Sequence, residues 1–152
     1  MTPSLLRLRV VSERISLIQE MLRAIGDLPL ETYEQFCSDP RNPASAESYL
    51  RRGLEGLLDL GRHILAKGFG VGVSEYKEIA KALGLKGVLT EADAALMRQL
   101  AGYRNRMVHF YHEISNEELH SICRFQLEDV EGVLKALSQW IRDNPDKINR
   151  TL

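Results

Sequence analysis

Hydrophobic residues recur at every third or fourth position over most of the chain, which is the spacing that lines one face of an α-helix. Residues 4–26 are predicted to form a first long helix, which ends at Gly26 before a proline-containing break. A short helical turn is predicted over residues 31–37. The apolar stripe of the first helix consists of Leu8, Val11, Ile15, Ile18, Leu22 and Ile25.

Residues that favour helix ends divide the next part of the chain. A second long helix is predicted to begin at Pro43, with Asn42 as its N-cap, and to end in the glycine-rich segment 68–70. Ser74 is expected to cap a short helix that reaches about Leu83.

Two more capping residues mark the last two long helices. Thr90 begins a helix that is predicted to run to about His112, and Ser115 begins a final helix that ends at residues 144–145. No segment alternates between apolar and polar residues with a period of two, so no strand is predicted. The pattern therefore predicts an all-α bundle of four main helices plus one or two short ones.

The composition describes an ordinary globular chain. Its 152 residues fit one domain with its own core, expected over residues 1–152. The 20 basic and 21 acidic residues give a net charge of −1, which excludes a chain that binds nucleic acid through a globally basic surface. No secretory signal is recognised and no apolar run approaches the ~18–20 residues that span a bilayer. We therefore expect a cytoplasmic protein without membrane contact.

The sequence gives no indication of a metal or cofactor. Cys37 and Cys123 are isolated thiols, which suits a reducing compartment better than a disulfide framework. The four histidines form no HExxH pattern, and neither a GxxxxGK[ST] nor a GxGxxG loop is present. Neither a metal site nor a bound cofactor is predicted.

The charge distribution is uneven in one place, because residues 94–112 contain no acidic side chain. Cations beside aromatic rings suit a phosphate-bearing ligand, so Arg98, Arg106 and Tyr111 of this window are expected to contact its phosphates. The alternative is a solvated basic helix end, because cations stabilise a helix C-terminus. The window holds Arg98, Arg104, Arg106, Tyr103 and Tyr111.

Helical spacing would bring polar residues of this window together. Arg104 and Tyr111 are seven residues apart and would lie one above the other, with Asn105, His109 and His112 on the neighbouring stripe. An imidazole can transfer a proton near neutral pH, and a guanidinium can stabilise charge on phosphate oxygens. These side chains suit the cleavage of RNA without a metal ion. The core side of the helix would be formed by Leu96, Leu100, Met107 and Val108.

Residues 104–111 read Arg-Asn-Arg-Met-Val-His-Phe-Tyr and resemble the extended form, R-N-x-x-V-H-x-Y, of the Rx4HxY motif. This motif is the signature of HepT-like toxins in the HEPN superfamily (higher eukaryotes and prokaryotes nucleotide-binding). Residues 46–52 and 57–64 resemble the second helix of that family, and residues 85–89 resemble the connection into its motif helix. The resemblance extends over roughly residues 3–143.

The resemblance implies a HEPN-type antiparallel helical bundle that forms a homodimer, with a composite site where the motif helices of two protomers meet. It implies a metal-independent endoribonuclease that acts on RNA as the toxin of a type VII-like toxin–antitoxin module. It also implies a partner, an MNT-type (minimal nucleotidyltransferase) antitoxin, which neutralises the toxin by transferring AMP to a tyrosine at the motif.

Transferred residue by residue, the resemblance makes Arg104 and His109 the catalytic pair and Asn105 a polar helper. Tyr111 becomes the motif tyrosine and the expected AMP acceptor, with Tyr103 as the weaker candidate. AMP on Tyr111 would add bulk and a negative phosphate over Arg104, which should block RNA and neutralise the arginine.

Asp59 lies among leucines in the second predicted helix, where an unpaired carboxylate would be costly. It could support the site by pairing with Arg104 or by orienting His109. The alternative is that it pairs with Arg62 or Lys67, or is simply exposed.

Two further points stay open at this stage. His63 and His120 have no motif around them, so surface or structural roles are expected for both. The alternative function for the chain is a non-catalytic HEPN module that binds a nucleotide or RNA, or that docks a nucleotidyltransferase.

Overall fold

The structure is a computed structural model that describes residues 2–109 and 114–151. The described helices are α1 (Leu8–Gly26), α2 (Tyr33–Cys37), α3 (Arg41–His63), α4 (Tyr76–Leu85), α5 (Glu91–Val108), α6 (Asn116–Phe125) and α7 (Leu127–Asp143). The shorter elements are a π-helical turn (Ile64–Gly68), a 3₁₀ turn (Pro145–Lys147) and two strands of two residues each, β1 (Leu6–Arg7) and β2 (Ile148–Asn149). The predicted all-α class is confirmed.

Helices α1 and α3 pack closely at the centre of the bundle, and a glycine makes the approach possible. A Cβ atom at Gly56 would lie 3.1 Å from Cγ1 of Ile18, which is tighter than ordinary van der Waals contact. Ile18 on α1 and the leucines around Gly56 on α3 are buried, as the apolar stripe of the first helix predicts. Close packing of this kind removes apolar surface from water and is the main source of stability in the bundle.

Helices α4 and α5 meet α3 at Gly61. A Cβ atom at Gly61 would lie 2.9 Å from Cδ1 of Leu83, 3.0 Å from Cε of Met97 and 3.1 Å from Cγ2 of Ile79. These three side chains are fully buried. The missing side chain therefore fixes how near α4 and α5 lie to α3, and with it the relative positions of residues that these helices present on the surface.

Two of the predicted caps are confirmed. Thr90 Oγ1 accepts a hydrogen bond from the N–H of Asp93 at 3.1 Å, at the start of α5. Ser115 Oγ accepts one from the N–H of Glu118 at 3.2 Å, at the start of α6. Each side chain satisfies a backbone donor that the first turn of the helix leaves free.

Two other predicted caps are wrong. Helix α3 begins at Arg41 rather than at Pro43, so Asn42 lies inside it, and Asp39 Oδ1 accepts from the N–H of Arg41 at 2.9 Å. Helix α4 begins at Tyr76, and its flanking residue makes no side-chain cap, so Ser74 lies outside.

The predicted final helix is two helices. The backbone leaves helical geometry at Gln126, with φ −118° and ψ 5°, and α7 starts at the next residue. Two acidic residues in the first turn of α7 favour a new helix start there, through the dipole of the helix. The apolar spacing continues across Gln126 without interruption, which is why the pattern predicts a single helix.

The predicted helix that carries the motif ends earlier than expected. Helix α5 stops at Val108, and His109 has extended backbone geometry, with φ −96° and ψ 115°. The predicted helix is therefore wrong at His109. The predicted alignment of Arg104 with Tyr111 depends on a residue outside the described ones. Residues 110–113, which include Tyr111 and His112, lie outside the described residues.

The core side of α5 is largely as predicted. Leu100 is buried, and Leu96 and Met107 are half-buried and pack against the core. Val108 is 42% exposed, so its predicted place in the core is wrong, because α5 ends there and its last side chain projects beyond the packed helices.

A parallel pair of two-residue strands was not predicted. Leu6 pairs with Ile148 and Arg7 with Asn149, so the strands join the two ends of the described chain. Strands this short carry no period of two that a sequence pattern could reveal. They also delay the start of α1 to Leu8, several residues after the predicted start.

Within residues 2–109 and 114–151, none of the helices combines the length and the apolar character that crossing a bilayer requires.

Candidate functional site

A groove of about 410 Å³ lies between the start of α4 and the C-terminal half of α5, and we call it the α4–α5 groove. It is bounded by Arg62 from α3, by residues 74–77 around the start of α4, and by Arg104, Asn105 and His109. The structure therefore places the predicted catalytic pair and its polar helper around one cavity, beside further cationic side chains.

Arg104 is held in the groove by two neighbours. Its Nε donates to Oε1 of Glu55 at 3.3 Å, and its Cζ lies 4.6 Å from the centre of the Tyr76 ring. Nη1 makes only a long contact, 3.5 Å, with Oδ1 of Asn105. Because the ion pair uses Nε, the Nη atoms are available for the oxygens of a phosphate, to which guanidinium binds in a fork.

Asp59 supports the groove indirectly. Its Oδ1 accepts from the hydroxyl of Tyr76 at 3.2 Å and from Nη1 of Arg62 at 3.1 Å. Of the expected partners, Arg62 is the one observed, while the carboxylate beside Arg104 belongs to Glu55. Burial raises the pKa of the Tyr76 phenol, and the charge of Asp59 raises it further, so this hydroxyl stays protonated and donates.

Arg62 fixes the connection that leads into α4. Its Nε donates to the carbonyl oxygen of Val73 at 3.1 Å and its Nη2 to that of Ser74 at 2.8 Å. Its Cζ also lies 5.1 Å from the centre of the Tyr76 ring. The wall of the groove is thus attached to α3 by one side chain.

Sequence reasoning missed Glu55 and Tyr76. Glu55 lies four residues before Asp59, which places both on one face of α3, and this spacing is the signal that could have identified it. Tyr76 begins a short helix and belongs to no motif, so nothing in the sequence connects it with Arg104.

His109 lies directly after α5 and between two cavities. Its N–H still donates to the carbonyl oxygen of Asn105, at 3.1 Å, and its side chain is exposed. Besides the α4–α5 groove it lines a second cavity of about 380 Å³, together with Glu47 and apolar residues that include Met107 and Leu119. An imidazole in this position can reach a ligand without a change in the fold.

The other two arginines of the motif helix do not line the groove. Arg106 makes a two-pronged pair with Glu118, with nitrogen–oxygen distances of 2.8 and 2.6 Å. The guanidinium lowers the pKa of the Glu118 carboxyl, and this pair connects α5 to α6. Arg98 is exposed and makes no ion pair with the residues described here.

The hydroxyl of Tyr103 is engaged in hydrogen bonds within the fold. Its oxygen accepts from Nε2 of Gln99 at 2.8 Å and donates to Oε1 of Gln126 at 2.7 Å. It therefore links α5 to the break between α6 and α7. The expected acceptor, Tyr111, falls in the part of the chain that the structure does not describe.

The two histidines without a motif both contact backbone groups. Nε2 of His63 accepts from the N–H of Arg7 at 3.0 Å, and Nε2 of His120 lies 2.8 Å from the carbonyl oxygen of Leu30. His120 also packs on the ring of Phe36. Both positions are structural.

The cysteines are unpaired, with Cys37 half-buried and Cys123 buried. Burial raises the pKa of the Cys123 thiol to about 12, so it stays protonated and unreactive at neutral pH. Among the described residues, no three His, Cys, Asp or Glu side chains are placed so that they could hold a metal ion.

A helical bundle that places arginine, amide and imidazole side chains around one groove defines the class: a helical protein with a candidate phosphate-binding site. The family model described as "Ribonuclease HepT-like" matches residues 11–137. The chain therefore belongs to the HepT-like ribonuclease family, as the resemblance of residues 104–111 predicts.

Several solved structures have a similar fold. A tri-AMPylated HEPN toxin from Shewanella oneidensis, in complex with an MNT antitoxin, has a TM-score of 0.77 at 20% identity, covering 86% of this chain and 97% of that one. A toxin–antitoxin structure with AMP-PNP has a TM-score of 0.76 at 20% identity, covering 86% and 98%.

A third structure, of the cytosolic protein of unknown function YutE from Bacillus subtilis, has a TM-score of 0.74 at 15% identity, covering 91% of this chain and 93% of that one. At these identities the likeness shows the fold alone. The search of curated proteins gives no match.

Proposed function

We propose that the protein is a metal-independent endoribonuclease that acts as the toxin of a type VII-like toxin–antitoxin module. Its substrate is RNA, its site is completed by a second copy of the chain, and its antitoxin is an MNT-type nucleotidyltransferase. Family membership and the likeness to HEPN toxins support the general assignment.

The observation that carries the proposal is the placement of Arg104 in the α4–α5 groove. Its guanidinium is hydrogen-bonded to Glu55 and lies over the ring of Tyr76, and Asn105 and His109 line the same cavity. A pre-oriented cation beside an exposed imidazole is what phosphodiester cleavage requires, because the fixed charge stabilises the transition state without reorganisation.

In the proposed reaction the ribose 2′-hydroxyl loses its proton and attacks the adjacent phosphorus, while the bond to the 5′-oxygen of the next nucleotide breaks. The leaving oxygen takes up a proton, and the products carry a 2′,3′-cyclic phosphate and a 5′-hydroxyl. His109 transfers one of these protons. Arg104 stabilises charge on the non-bridging oxygens, and Asn105 orients the phosphate or the imidazole.

The two proton transfers favour a homodimer, because His109 is the one described histidine at the groove. A second copy of the end of α5 would supply an imidazole for the other transfer. It would also double the positive charge around the phosphate, which suits a chain whose overall charge is close to neutral.

Inhibition by the antitoxin is proposed to use AMP transfer to Tyr111. The adenylyl group would place a phosphate two residues from His109, where it would compete with RNA for the cations of the groove. The AMPylated HEPN toxin among the structures of similar fold supports this part of the proposal.

RNA cleavage by the purified protein in the presence of EDTA tests the proposal. The wild type is expected to cleave, and Arg104→Ala and His109→Ala are each expected to reduce the rate by at least about a hundredfold. Arg23→Ala is the matched control, because it removes one exposed arginine at the end of α1, away from the groove.

Thermal unfolding of all four proteins shows whether a lost activity reflects a lost fold. If the wild type binds RNA but does not cleave it, the protein is a non-catalytic binding module and the proposed enzyme function is wrong. Cleavage that EDTA abolishes would contradict metal independence, and full activity in both site variants would contradict the proposed residues.

A further inference from the structure

The ring of Tyr76 lies against the Arg104 guanidinium, at a distance of 4.6 Å from ring centre to Cζ. A cation placed over an aromatic face at this distance is attracted by the negative charge density of the ring. Tyr76 is half-buried and Arg104 is 25% exposed, so the contact is shielded in part from water but still open to the groove.

Tyr76 is itself held by contacts other than the one with Arg104. Its hydroxyl donates to Asp59, and Arg62 donates to the same carboxylate oxygen. Arg62 also donates to the carbonyl oxygens of Val73 and Ser74, which immediately precede α4. Asp59 of α3 therefore holds the ring of Tyr76 through its hydroxyl, and Arg62 of α3 in turn holds Asp59.

Glu55 and Tyr76 contact Arg104 in different ways. Glu55 accepts a hydrogen bond from Nε, whereas Cζ lies over the ring of Tyr76, 4.6 Å from its centre. Together they restrict both the translation and the rotation of the guanidinium. A long arginine side chain otherwise loses considerable conformational entropy when it binds a ligand in one geometry.

We propose that Tyr76 is a positioning residue for RNA cleavage, whose ring holds the guanidinium of Arg104 in the orientation that meets the phosphate. The proposal rests on the proposed function, and it assigns the α4 wall of the groove a role in the reaction. Asp59 and Arg62 act one step further away, by holding the ring.

Substitution of the ring gives the first test. Tyr76→Leu is expected to lower kcat/KM for RNA by about three- to thirtyfold, the range that the strength of a cation–ring contact allows. Tyr76→Phe keeps the ring and loses only the bond to Asp59, so it is expected to retain most of the activity. Equal losses in both variants would overturn the proposal in favour of a role for the hydroxyl.

A double-mutant cycle separates positioning of Arg104 from support of the fold. Tyr76→Leu is expected to lower the residual rate of Arg104→Ala by less than about twofold, because its effect passes through the guanidinium. The same fractional loss in both backgrounds would overturn the proposal.

Ring electronics give a readout that a purely structural role would not change. Tyr76 can be replaced by phenylalanine with one, two or three fluorine atoms on its ring. These side chains have nearly the same shape, but each added fluorine weakens the attraction of the ring for a cation. Activity is expected to fall in that order at an unchanged melting temperature. Activity independent of fluorination would overturn the proposal.

Nuclear magnetic resonance distinguishes failure of this proposal from failure of the proposed function. In the wild-type protein without RNA, the ring current of Tyr76 is expected to shift the Arg104 Nε–H signal upfield. The shift should vanish in the folded Tyr76→Leu variant. A protein that shows this shift but cleaves no RNA would refute the proposed function, and positioning for cleavage with it. A protein that cleaves RNA without the shift would refute the positioning role alone.

Discussion

At the scale of single residues, arginines that look equivalent in the sequence have different roles. Arg104 and Arg106 are two positions apart, so a helix turns them by about 200° and they face different neighbours. Arg104 lines the groove and is paired with Glu55, whereas Arg106 lies outside the groove and is paired with Glu118 of α6. The uninterrupted positive charge predicted for this stretch is therefore partly neutralised by carboxylates outside it.

The two tyrosines beside the motif are distinguished in the same way. The hydroxyl of Tyr103 is occupied by Gln99 and Gln126, so transfer of AMP to it would break two hydrogen bonds. With ATP and an MNT-type nucleotidyltransferase, Tyr111→Phe is expected to abolish AMP incorporation and Tyr103→Phe to leave it nearly unchanged. Mass spectrometry of the intact protein measures both. Incorporation that is lost in Tyr103→Phe but kept in Tyr111→Phe would reverse the assignment.

At the scale of helices, the groove depends on how closely α4 and α5 approach α3. The contact at Gly61 brings side chains from both helices within 3.1 Å of the place where a Cβ would be. Asp59 and Arg62, which support the α4 wall, are on either side of this contact along α3. The packing at Gly61 therefore also determines the geometry of the groove.

Gly61→Leu is expected to lower the free energy of unfolding by about 1–3 kcal/mol, because the added atoms overfill a packed interface. Gly132→Ala on α7 is the control, since a Cβ there meets no atom within 4 Å. That change is expected to raise stability by about 0.5–1 kcal/mol through helix propensity. Urea unfolding measures both, and a Gly61→Leu protein as stable as the wild type would contradict the packing described for α3, α4 and α5.

The helix starts that the sequence predicts correctly are those that combine a clear apolar period with a capping side chain. Thr90 and Ser115 are examples, because a cap is a local interaction between residues three apart. The break at Gln126 escaped prediction since it is stabilised by Tyr103, which is 23 residues away.

The site shows the same division between local and distant information. Arg104, Asn105 and His109 were identified from a continuous motif and do line one groove. Glu55 and Tyr76 come from two other helices and are brought to Arg104 only by the packing of α3, α4 and α5. Tyr76 belongs to no local pattern, so it could not be predicted. The four-residue spacing of Glu55 and Asp59 places both carboxylates on one face of α3, but only the packing shows that Glu55 is the one that contacts Arg104.

At the scale of the whole molecule, the two ends of the described chain are joined by the β1–β2 pair and attached to α3 through His63. Nε2 of His63 accepts from the N–H of Arg7 in β1, a role that requires the ring to be unprotonated at that nitrogen. Burial lowers the pKa of His63 to about 4, and the nearby charges of Lys67, Arg7 and Arg14 act in the same direction.

The free energy of unfolding is therefore expected to decrease as the pH is lowered from the ordinary histidine pKa of 6.5 to the folded-state pKa of about 4. In that interval the unfolded chain binds a proton that the folded chain excludes, so stability is present above pH 6.5 and is lost as the pH decreases. Between pH 7 and pH 5 the loss from this residue is at most about 2 kcal/mol. His63→Gln keeps a neutral acceptor for Arg7, and its unfolding free energy should change less over the same interval. Urea unfolding at the two pH values measures the difference, and equal pH dependence in both proteins would show that His63 does not link the chain ends to α3 in this way.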